Sequence, residues 1–136
     1  MDLTRPLDEK QTKSNTRKIL RMYRQLERQA GKRITLAGQK IDDTPKGQFQ
    51  PDRLENKIIR RLDAERECLE ILEAVERLED REKKIIQLTY LLATQCTNYK
   101  IGQELQYSER SIERLKSEAL IQFAYAYKNG ELLVWK

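Results

Sequence analysis

The chain has 136 residues, 36% charged and 7% aromatic, with a net charge of +5 and a pI near 9.2. That length supports one domain, or one small domain plus an extension, around a modest core. It contains no histidine, which excludes Cys/His zinc sites and catalytic Cys-His or Ser-His pairs, and its basic balance favours a partner of negative charge.

Residues from Asp8 to Ala30 read as a first helix. Asp8-Glu9-Lys10-Gln11 has the form of a capping box, and Gly31 stands where a helix stop is expected. Ile19, Met22, Tyr23, Leu26 and Ala30 make its apolar stripe. Lys10, Lys13, Arg17, Arg21, Arg24 and Arg28 step by 3, 4, 4, 3 and 4, one helical turn each, which predicts a cationic stripe on the face opposite the apolar one. Residues 32–51 are punctuated by Gly38, Pro45, Gly47 and Pro51 and read as a linker. The expected organisation is thus a basic helix and linker arm over 1–51 and a helical domain over 52–136. Charge follows that division. Residues 1–61 hold 16 Lys and Arg against 8 Asp and Glu, whereas residues 62–96 hold 5 against 9.

A second helix begins at Asp52-Arg53-Leu54-Glu55, with Asp52 as the expected cap, and runs to about Leu78. Its apolar line is Leu54, Ile58, Leu62, Leu69, Leu72 and Val75, with Ile59, Cys68 and Ile71 beside it, and its outer face is mostly acidic. Asp80 opens another helix through REKKIIQLTYLLA. Thr97 caps a short helix, NYKIGQEL, and Ser108 caps the last long one, which Asn129-Gly130 ends. The tail ELLVWK is apolar and could be extended, with Trp135 expected to pack it onto the helices. The prediction is an all-α fold.

Within it, a short helix, a three-residue turn and a long helix over about 97–120 have helix-turn-helix spacing. Ile101, Leu105, Ile112 and Leu115 are the expected inner contacts, with Gly102 where the helices cross. Along the last helix Ile112, Leu115, Ala119, Phe123 and Ala126 recur at steps of 3 and 4, which leaves Arg110, Glu113, Arg114 and Ser117 together on the other side. In a major groove, arginine bonds bidentately to guanine O6 and N7, and a glutamate accepts from cytosine N4. Arg110, Ser111, Glu113 and Arg114 are therefore candidate base readers. Lys100, Tyr107, Ser108 and Ser117 suit phosphate contacts. Residues 97–136 hold only 6 Lys and Arg against 5 Glu, a weak pull on phosphate by itself, so the cationic stripe of the first helix is the candidate for the remaining phosphate contacts.

Two cysteines, Cys68 and Cys96, stand apart and fit reduced thiols in a cytosol. No run of 18 apolar residues is present to span a membrane, and MDLTRPLDEK has no signal-peptide core. With no clustered carboxylates at metal spacing and no phosphate-binding glycine loop, neither enzyme chemistry nor a cofactor is expected.

The run LEDREKKIIQLTYLL followed by YKIGQELQYSERSIERLKSEAL resembles the region-4 helix-turn-helix of sigma factors. A more specific resemblance, carried by YSERSIERLKSEALIQFAYAYKNGELLV and TRKILRMYRQLERQAG, is to ArpU-type phage transcriptional regulators. One departure from the general pattern is Gln106 in the turn, where glycine is usual; it is expected to hold a left-handed conformation at a cost of about 1 kcal/mol. The resemblance implies a sequence-specific regulator, an activator, of phage or prophage late, lysis or packaging genes. It implies a bacterial cytoplasm, double-stranded DNA as partner and host RNA polymerase as another. A homodimer is also open. Two alternatives stand beside this reading: the DNA-recognition subunit of a phage packaging machine, and a helical protein-interaction module that binds no DNA.

Overall fold

The computed structural model describes residues 5–31, 51–92, 94 and 96–136, and they form an all-α body. Of the expected linker, 32–51, residues 32–50 lie outside the described residues and Pro51 is already helical. Helix α1 spans Glu9–Ala30 and α2 spans Pro51–Glu76. A shorter α3, Asp80–Ile86, continues into a π turn over Gln87–Leu91; then come α4, Asn98–Leu105, and α5, Glu109–Ala126. No described helix is long and apolar enough to cross a membrane.

Most ends obey local chemistry. Asp8 caps α1 by accepting from the Gln11 backbone N–H at 3.1 Å, although the Gln11 side chain donates forward to Asn15 rather than back to the cap. Gly31 closes α1 at φ 68°. Thr97 and Ser108 cap α4 and α5 through the Lys100 and Ser111 N–H groups. The start of α2 differs from expectation. It begins at Pro51, one residue before the expected cap Asp52, and proline suits a first helical position because its fixed φ is helical and its missing N–H would have no partner there. The helix after Asp80 also departs from a plain α-helix: it widens until the Leu92 N–H reaches back to the Gln87 carbonyl at 3.1 Å.

Phe123, Ile71, Ile85, Ile86, Ile101 and Ile112 are fully buried at the centre, each contributing about 1.5–3 kcal/mol by leaving water. Leu20 and Tyr23 of α1 join this core, and α1 packs on both α2 and α5. Its buried seam is Thr12, Thr16, Leu20, Tyr23 and Ala30; of the expected stripe Tyr23 and Ala30 belong to it, Ile19 and Leu26 pack half-buried against the core, and Met22 is 48% exposed. The two threonines fit because their hydroxyls are satisfied. Thr16 Oγ1 bonds the Thr12 and Leu120 carbonyls at 3.0 and 3.2 Å, and Thr12 Oγ1 accepts from the Val134 N–H. The apolar residues expected on α2 divide between two sides, with Leu72 half-buried against the core. Ala64, Cys68, Ile71, Ala74 and Val75 face inward, while Ile59, Leu62 and Leu69 are 47–51% exposed.

Helix α5 ends at Ala126, three residues before Asn129, and the chain turns through left-handed Lys128, Asn129 and Gly130. Glu67 of α2 braces this turn, accepting from the Tyr127 hydroxyl and from Lys128 Nζ. The tail then runs extended beside residues 6–8. Asp8 N–H donates to the Val134 carbonyl at 2.7 Å and Lys136 N–H to the Pro6 carbonyl at 3.0 Å. Leu132 of the tail is buried, whereas Trp135, expected to pack the tail onto the helices, is 42% exposed.

Three buried protons give the fold an alkaline limit. Burial, then Glu27, pushes the Tyr23 phenol from 10.0 to about 12; burial, then Glu67, does the same to Tyr127; burial raises the Cys68 thiol from 9.0 to about 11. Each group holds its proton more tightly folded than unfolded. Their stabilisation is therefore complete below the unfolded values and is lost as pH rises through the folded ones. The thermal unfolding midpoint is expected to stay level from about pH 7 to about pH 9 and then to fall towards about pH 12. A midpoint unchanged across that upper window would contradict these environments.

Candidate nucleic-acid interface

The α4–turn–α5 unit is built from its turn outward. The amides of Gln106 and Tyr107 both donate to the Gly102 carbonyl, the latter at 2.8 Å. Gln106 bends the chain with φ 64° and ψ 45°, the left-handed conformation expected of it. Gly102 sits so close beneath the turn that a Cβ there would lie 2.5 Å from the Tyr107 carbonyl oxygen and 3.6 Å from Ile112 Cγ1. The residue expected to be small because two helices cross is small chiefly because the turn's backbone covers it. Ile101, Ile112 and Leu115 lie buried between the helices, as expected, with Leu105 half-buried. Lys116 Nζ donates to Asn98 Oδ1, tying α5 to the first residue of α4, and burial lowers the Lys116 pKa.

This packing leaves Arg110, Glu113 and Arg114 exposed together on the outer side of the first turns of α5. Ser111 is half-buried and turned to the cap, its hydroxyl 3.0 Å from that of Ser108. Lys100 and Tyr107 are exposed, and the Tyr107 hydroxyl beside Arg81 of α3 raises that guanidinium's pKa. Ser117 is half-buried and accepts from Lys13 Nζ of α1 at 3.2 Å.

That last bond joins two candidate sets separated by 104 residues. The stripe of α1 is not a free face opposite the core. Lys13, Arg17 and Arg24 are half-buried, and only Lys10, Arg21 and Arg28 are exposed. The seam through Thr12 and Thr16 turns the stripe towards neighbouring elements. Lys13 meets α5, Arg17 and Arg21 lie near Tyr90 of the π turn, and Arg24 pairs with Glu27. The early part of the stripe therefore lies beside the Arg110–Ser117 face. Sequence reasoning had no signal for Lys13–Ser117 or Arg81–Tyr107, because each joins elements remote in the chain. It also passed over Tyr99, 59% exposed on α4, whose hydroxyl accepts from Gln103. Among the described residues no group of acidic and cysteine side chains could hold a metal ion.

The class defined by this architecture is an all-α protein with a helix-turn-helix arrangement. No family model and no solved structure matches the chain. It is 41% identical over 137 residues to a protein of Enterococcus hirae named "Putative autolysin regulatory protein ArpU", and the alignment covers 100% of both chains. The chain belongs to the ArpU family.

Proposed function

We propose that this chain is a sequence-specific DNA-binding transcriptional regulator whose α4–turn–α5 unit works like sigma-factor region 4. One observation carries the reading: Arg110, Glu113 and Arg114 stand exposed on one side at the N-terminal end of a helix held by a tight turn on a short helix. That end of the second helix enters the major groove in such motifs. Arg110 and Arg114 are the guanine readers, Glu113 the cytosine reader, and Ser111 supports the cap or a nearby base. Lys100, Tyr107, Ser108, Ser117 and the α1 cations Lys10, Lys13, Arg17 and Arg21 are the phosphate contacts, with Arg24 and Arg28 further along the same helix.

The relative's name concerns autolysin regulation, and the resemblance to phage regulators points to activation of late, lysis or packaging genes. An activator of that kind has host RNA polymerase as its second partner. The deciding experiment is selection of bound duplexes from a random pool by the purified chain. An enriched motif supports the reading. Retention without enrichment, and only at low salt, would show that the face does not read bases.

A further inference from the structure

We infer that Arg81 of α3 is a further phosphate contact, and that Arg81 and Lys13 of α1 hold opposite strands of one duplex across the reading helix α5. This rests on the DNA reading above and deepens it.

A helix about 10–12 Å across fills a major groove about 12 Å wide, so each of its flanks faces a phosphate backbone, one per strand. Ser117 and Glu118 mark the two flanks of α5. As consecutive residues they stand about 100° apart around the helix, and Arg110 and Arg114 fall in the sector between them. Lys13 reaches the first flank, its Nζ donating to Ser117 Oγ at 3.2 Å. Arg81 holds the second. It lies within electrostatic reach of Glu118, and its guanidinium sits beside the Tyr107 hydroxyl, one residue before the Ser108 cap.

The fold fixes that placement. Helix α3 packs along α5, and Arg81 stands exposed in its first turn. Tyr107 is held by its own amide, which donates to the Gly102 carbonyl at 2.8 Å. The pair is therefore delivered to the end of α5 that enters the groove. The two flanks differ in kind. Glu79 also lies near Arg81, and it and Glu118 repel phosphate. This flank thus offers one directed guanidinium bond, where α1 offers several cations.

The test is binding of a labelled duplex by the full chain across a range of salt. Arg81→Gln is expected to lower affinity about tenfold on selected and random duplex alike, and to make the salt slope shallower by about 1. Arg81→Lys is expected to keep the slope and lose part of the affinity, since lysine keeps the charge but not the planar fork. Circular dichroism is expected to show both variants as helical as the parent. Neutral methylphosphonate linkages, placed on one strand of the selected duplex at a time, then assign the strands. Those on one strand are expected to cancel the effect of Arg81→Gln and leave that of Lys13→Gln; those on the other do the reverse. An unchanged affinity for Arg81→Gln overturns the contact. Cancellation of both effects by the same strand overturns the placement on opposite strands. The two readings fail separately. A motif bound equally well by Arg81→Gln sinks this inference and leaves base reading standing; a flatter slope for Arg81→Gln on random duplex, with no motif selected, does the reverse.

Discussion

Gly102→Leu is expected to pull the turn off α4 and lower stability by about 3 kcal/mol or more, at the upper end of overpacking costs. The first atom of any side chain there lies 2.5 Å from a backbone oxygen, not from a flexible side-chain end. That oxygen belongs to Tyr107, whose own amide is bonded to the Gly102 carbonyl. Moving the turn to make room therefore breaks the bonds that define it. Gly102→Ala separates sterics from bulk. Alanine gains about 1 kcal/mol in helix propensity, yet the clash of about 1–3 kcal/mol is expected to win. Urea titration reads the balance, and an alanine variant as stable as the parent would contradict the close approach. Because Gly102 is buried and touches nothing outside the protein, lost DNA selection in this variant would report a displaced α5.

Caps and turn residues were legible because their partners lie within a few positions. Asp8, Thr97 and Ser108 each accept from an N–H three residues on, and Gln106 had to be left-handed for two helices to meet across three residues. Faces were not legible in the same way. The core side of α1 runs through Thr12 and Thr16 because Leu120 and Val134, more than 100 positions away, offer a backbone carbonyl and a backbone N–H to their hydroxyls. Hydrophobicity alone finds Tyr23 and Ala30 but adds Met22, which is 48% exposed, and omits the two threonines. For α2 the periodic leucines were legible, but periodicity does not say which of two apolar sides the fold uses. Small residues, Ala64, Cys68 and Ala74, let α2 approach the core closely, and the bulkier leucines stay outside. The candidate reading face was found by the same periodicity that found its buried side. Its neighbour Lys13 was not, since only tertiary packing brings α1 to α5.

Arg110→Ala/Arg114→Ala is expected to abolish motif enrichment while leaving the fold intact. Both guanidinium groups are exposed, and exposed substitutions of this kind change stability by about 0.5 kcal/mol or less. Each bidentate arginine–guanine contact discriminates by about 1–3 kcal/mol, so the pair together accounts for about 2–6 kcal/mol of specific affinity. Binding to random duplex is expected to weaken far less, through lost charge alone. Lys10→Gln/Lys13→Gln gives the contrast: affinity falls on specific and random DNA alike, and the slope of log affinity against log salt becomes shallower by about 2. The two variants differ in kind because bases and phosphates are read by different physics. A directional bond to a base edge fails at one position of the motif, whereas a released counterion has no sequence. Equal losses on specific and random DNA for the arginine pair would place Arg110 and Arg114 on phosphates and remove the base-reading role from this face.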